Sequence, residues 1–89
     1  MTKKRRKLNK DFERKIYSSK KNVELVLAKI YDIDDEDIQK EYISAFNGVV
    51  ILYDKLNEDY ELQGFNDKSE ELLSNYNNAF NLFESEFEI

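Results

Sequence analysis

Residues 35–62 read DEDIQKEYISAFNGVVILYDKLNEDYEL, and the reading of this stretch decides the fold. Ile38, Tyr42, Ala45 and Phe46, Val49, Leu52 and Tyr53, Leu56 and Tyr60 recur at steps of three or four. That spacing puts them on one stripe of an α-helix. Ile43, Val50 and Ile51 widen the apolar surface mid-helix, as expected of a helix contacted from two sides. Asp34 or Asp35 suits the N-cap, and Glu36 and Asp37 suit the positive end of the helix dipole. Gln63 and Gly64 then end the helix, with the glycine at C′. Gly48 lies inside the pattern, costs about 1 kcal/mol relative to Ala, and marks either close helix packing or a kink. A short strand over 49–53 is the competing reading, because β-branched residues cluster there. No second strand is evident to pair with it.

Working outward, the same period continues on both sides. Leu8, Phe12, Ile16, Ser19, Val23, Val26 with Leu27, and Ile30 predict a helix over 7–31, with Lys and Arg on its other faces. Residues 1–6 form a frayed basic arm in this reading. On the C-terminal side Asn66 or Asp67 caps a third helix over 67–84. Its stripe is Ser69, Leu72 with Leu73, Tyr76, Ala79 with Phe80, Phe83 and Phe87. Glu84, Glu86 and Glu88 put negative charge at the negative end of that helix dipole, so fraying is expected there. Two short connections between three helices imply antiparallel neighbours. The expected fold is all-α: an antiparallel three-helix bundle with two long helices, in one domain spanning 1–89.

Composition narrows the function by exclusion. The 89 residues contain no Cys and no His. Imidazole bases, thiolate metal sites and disulfides are therefore all excluded. Two isolated glycines cannot build a phosphate-cradling loop. Ser18 and Lys21 share a Ser-x-x-Lys spacing, and Tyr17 and Lys21 a Tyr-x-x-x-Lys spacing. Neither has its companion motifs, so both read as an exposed basic stretch. The carboxylate cluster at 32–37 could hold Ca²⁺ or Mg²⁺, but the EF-hand pattern fails: Asp37 stands where glycine is required and Ile43 where glutamate is. It reads as a turn with an N-cap. No catalytic residue, metal site or cofactor is expected, and the chain is expected not to be an enzyme.

The basic N-terminus is followed by no apolar signal-peptide core, and the longest apolar run, 49–53, is far too short to span a bilayer. A cytoplasmic protein without membrane association is expected. Lys in excess of Arg, many Asn and Ile, and no Trp or Pro suit an AT-rich bacterial, phage or plasmid gene.

What remains is charge. Residues 1–30 carry eleven Lys and Arg against three acids, a net of +8, and residues 31–89 carry three Lys against sixteen acids, a net of −13. Such asymmetry concerns what a protein touches rather than how it folds. The favoured role of the basic segment is to lie against the chain's own acidic helices or those of a second copy, as a possible homodimer. The favoured function is a small regulator or inhibitor that docks an acidic helical face on a basic surface or groove of a partner protein. Its candidate contacts are Asp54, Glu58, Asp59, Glu61, Glu70 and Glu71, with Tyr60 and Phe65 as possible aromatic anchors. Phe65 has a competing role as a plug at the helix end. The alternative function is nucleic-acid association through Lys3, Lys4, Arg5, Arg6, Lys7, Lys10, Arg14 and Lys15, with steep salt dependence. A third possibility is a scaffold protein assembling through its long amphipathic helices.

Overall fold

A computed structural model describes residues 7–88 and contains three helices: α1 (Lys10–Tyr31), α2 (Glu36–Gln63) and α3 (Ser69–Glu86). The expected arm at 1–6 lies outside the described residues, as does Ile89. Helix α1 starts three residues later than the spacing predicts, because Asn9 is the cap: its side chain accepts from the Phe12 N–H at 2.9 Å. Leu8 therefore falls outside the helix and is 61% exposed instead of joining the stripe. Lys7 runs beside Gly64 as an isolated bridge, and its carbonyl accepts from the Phe65 N–H at 2.6 Å.

Helix α2 is capped by Asp35, whose carboxylate accepts from the Asp37 and Ile38 N–H groups at 2.9 and 3.1 Å. Residues 49–53 are helical, so the strand reading is overturned. Ile38 and Ile51 are solvent-exposed, so the buried stripe is narrower than the apolar pattern suggests. The close-packing reading of Gly48 is likewise wrong. The residue is exposed, and an added Cβ would meet nothing within 4 Å. With a clear space and helical backbone, Gly48→Ala should stabilise the protein by about 0.8–1 kcal/mol, read as a raised urea midpoint. An unchanged or lowered midpoint would contradict this packing.

Helix α3 begins without a side-chain cap from Lys68. Asn66 organises the turn two residues earlier: its Oδ1 accepts from the Lys68 N–H, and its own N–H donates to Ser69 Oγ, both at 2.9 Å. At the far end the helix persists through Glu86, two residues past the expected boundary. Aromatic packing outweighs the unfavourable charge–dipole term there. Phe83 and Phe87 stack at 5.0 Å, and Tyr42 of α2 meets Phe87 edge-on at 4.9 Å.

Contacts fix the directions. The amide of Gln39, near the start of α2, donates to the carbonyls of Ile30 and Tyr31 at the end of α1, both at 3.2 Å. At the other pole Tyr60 of α2 reaches Asn9 and Glu13 of α1. Tyr42 meets Phe83 and Phe87, and Tyr53 meets Tyr76, so α2 and α3 are also antiparallel. The core divides into two clusters along the rod. Val23, Val26, Ile30, Phe46, Val49, Tyr76 and Phe83 form one, and Phe12, Ile16, Leu56, Tyr60 and Leu73 the other. The radius of gyration is 15.3 Å, against about 12 Å for a compact domain of this length. The molecule is thus a rod with much side surface for its mass.

One buried phenol ties α3 to α1. The Tyr76 hydroxyl donates to the Ser19 carbonyl at 3.2 Å. Burial, the main cause, pushes this hydroxyl up from 10.0 to about 12. The sign follows from proton counting. Below pH 10 the group is protonated in both states and contributes no pH dependence. Between pH 10 and 12 the unfolded chain loses the proton more readily than the folded one, so stability falls as pH rises. The urea midpoint of the native protein should therefore drop across this window more steeply than that of Tyr76→Phe. Parallel curves would refute the assignment.

Candidate functional site

Helix α2 over its second half and α3 over its first turn carry the carboxylates singled out by sequence. Asp54, Glu58, Glu61, Glu70 and Glu71 are exposed. The last turn of α2 and the first of α3 are brought together by the turn at Gly64. Asp59 is half-buried and structural: its Oδ2 accepts from the Asn66 amide at 2.8 Å and so braces that turn. Glu61 Oε1 accepts from the Asn57 amide at 3.1 Å, one helical turn back.

Of the two expected aromatic anchors, Tyr60 is buried in the core and Phe65 is half-buried at the helix end. Tyr60 is 7% exposed. Its hydroxyl accepts from the Asn9 N–H at 2.9 Å and donates to the Glu13 carboxylate at 2.6 Å. The apolar ring is buried with Phe12, Ile16, Leu56 and Leu73, and the polar tip finds partners on α1 and its cap Asn9, which leaves nothing to offer a partner protein. Phe65 is half-buried, edge-on to Phe12 at 5.1 Å, with the Lys7 ammonium 5.9 Å above its ring. It is a plug at the helix end. Sequence reasoning missed a different apolar group: Leu62, 69% exposed, one turn after Glu58 on the same face of α2.

Of the basic set, Lys7, Lys10, Arg14 and Lys15 are exposed, whereas Lys3, Lys4, Arg5 and Arg6 lie outside the described residues. Among the described residues two ion pairs form, Arg14–Asp11 at 3.6 Å and Lys21–Glu24 at 4.0 Å, both internal to α1. Within the described residues the cations of α1 pair along their own helix; the expected pairing of the basic arm with the acidic helices falls on residues 1–6, which lie outside the described residues. The antiparallel topology also redistributes charge. The N-terminal half of α1 shares a pole with the candidate acidic face. The other pole joins the acids of 32–37 to Glu84, Glu86 and Glu88, because the end of α3 returns beside the α1–α2 turn. Charge counted along the sequence could not show that juxtaposition.

Among the described residues no group of three or more acidic side chains is arranged to hold a metal ion, and no helix is long and apolar enough to cross a membrane. Compared with known protein families, curated proteins and solved structures, the chain shows no significant match to any of them.

Proposed function

We propose that this chain is a non-enzymatic binding protein, a small regulator or inhibitor that sets its acidic α2–α3 face on a basic site of a partner protein. One observation carries the reading. Asp54, Glu58, Glu70 and Glu71 stand exposed on rigid helices, and no cation of the described residues is bound to them. A fixed array of solvated carboxylates steers a cationic partner and fixes its orientation, while adding modestly to affinity. Leu62 takes the place of the buried Tyr60 ring as the apolar contact on this face. The test is affinity capture from candidate host lysate with mass spectrometry, using the native chain and a Glu58→Lys/Glu71→Lys variant. A partner with a basic groove, captured by the native chain and lost from the variant, is the expected result. Recovery of nucleic acid alone, with no protein left after nuclease treatment, would end the proposal.

A second reading rests on Lys10, Arg14 and Lys15, which are exposed together at one end of α1. Under it, duplex DNA or RNA would be retarded in a gel at low salt, with binding lost at higher salt and on deleting residues 1–6. Lys7 must be retained in that deletion, because its carbonyl holds the Phe65 N–H.

A further inference from the structure

Helices α1 and α3 run parallel and are separated by a cleft along the side of the rod. Its larger part, about 720 Å³, is lined by Leu25, Val26, Phe80 and Phe83, with Lys29, Glu84 and Glu88 at one end. A second part, about 430 Å³, continues it to Arg14 and Lys15. Asn22 and Asn77 line both parts, so the two form one continuous groove. Leu25 on its lip is 56% exposed. The groove is electrically lopsided: two cations mark one end, and two carboxylates, faced by the single cation Lys29, mark the other.

We infer that this groove is the self-association surface of the protein, occupied by a second copy in antiparallel orientation. Charge complementarity chooses the occupant. A two-fold axis through the Asn22–Asn77 level sets Arg14 and Lys15 of each copy against Glu84 and Glu88 of the other. The lever arms agree. At 1.5 Å per residue, Arg14 lies about 12 Å along α1 from Asn22, and Glu84 lies about 10 Å along α3 from Asn77 in the opposite direction. A parallel copy would instead oppose like charges at both ends. Residues with an offset pattern of this kind are self-complementary only under two-fold symmetry, the commonest symmetry of homo-oligomers. The interdigitating contacts are apolar at Leu25 and Phe80 and polar at the two asparagines. Two helix faces about 22 Å long make a small footprint. Association is accordingly weak and salt-sensitive. None of Asp54, Glu58, Glu70 and Glu71 lines the groove, and the variants that test it leave those four side chains in place, so this inference is tested apart from the proposed function.

The experiment is sedimentation equilibrium of the full chain over a concentration series reaching about 1 mM, well into the weak-binding range. The native protein should shift from monomer to dimer, and added salt should reverse the shift. Arg14→Glu/Lys15→Glu and Glu84→Lys/Glu88→Lys each make both ends alike, and each alone should self-associate about tenfold or more weakly. Mixed together, the two variants should form a heterodimer, because every end then meets its opposite. All four positions are exposed, and circular dichroism checks that both variants keep the native helix content. A native chain that stays monomeric throughout, a variant that dimerises like the native chain, or a mixture that fails to recover would each overturn the assignment.

Discussion

Phe46→Ala should cost about 3–5 kcal/mol of stability, the range for deleting a fully buried aromatic side chain. Phe46 is 0% exposed and sits where the three helices meet, in the core cluster with Val26, Ile30, Val49, Tyr76 and Phe83. Its ring meets Phe83 at 4.8 Å and Phe80 at 6.1 Å. Phe80 belongs to a ladder that continues through Tyr76 to Tyr53, and Phe83 packs on Tyr42 and Phe87, so the space left by Phe46 is walled by side chains already committed to other neighbours. Collapse into the cavity would break that ladder, and failure to collapse leaves a void; both are costly. A domain of this length has about 5–13 kcal/mol in total. The loss is thus a large share, equivalent to a fall in melting temperature of roughly 12–40 °C. Thermal and urea unfolding followed by circular dichroism would measure it. Phe65→Ala, at the half-buried end of the rod, is the comparison and should cost clearly less. A Phe46→Ala penalty below about 1 kcal/mol would mean that the ring is not packed as described.

Gly64→Ala should destabilise by about 1–3 kcal/mol through its backbone conformation. Gly64 has φ 72° and ψ −162°, a region open in practice to glycine alone. The conformation is needed because three contacts converge on it. The Gly64 N–H closes α2 on the Tyr60 carbonyl at 2.8 Å, the Gly64 carbonyl accepts from the Asn66 amide at 2.9 Å, and the next N–H, from Phe65, is held by Lys7. An L-side chain would strain the turn or release those bonds, loosening the connection that aligns α3 with α2. The control is a D-alanine at this position, introduced by chemical synthesis. It prefers the mirror-image region and should restore stability to the native level or above it. If the D and L substitutions destabilise equally, backbone conformation is not the cause. Gly48→Ala, expected to stabilise, completes the contrast between a glycine required by its φ and one that is not.

Local patterning explains why much of the fold was legible. Steps of three and four named nearly every buried position, including the polar Ser19 and Ser69, whose hydroxyls have partners of their own. Where the reading failed, the cause was a competing local cap, a contact distant in sequence, or the lack of any contact at all. Leu8 fits the α1 period, yet Asn9 caps the helix just after it. Glu86 sits at an unfavourable helix end, yet Phe83, Phe87 and Tyr42 hold that turn together. Gly48 interrupts α2 without any neighbour approaching it.

The candidate site divides in the same way. Exposed carboxylates could be named from the sequence, since a charged side chain off the apolar stripe has nowhere to go but water. Tyr60 could not be placed, because its role depends on Glu13 and Asn9, residues at the other end of the chain. The groove between α1 and α3 was invisible for the same reason. Helical period, with no Pro and two Gly to interrupt it, pointed to three helices, as each residue's face follows from its neighbours three and four away. Which faces met, which rings were used up inside, and which charges came to share a pole were decided only when the helices packed. Those are distances between residues some fifty positions apart, and no local rule encodes them.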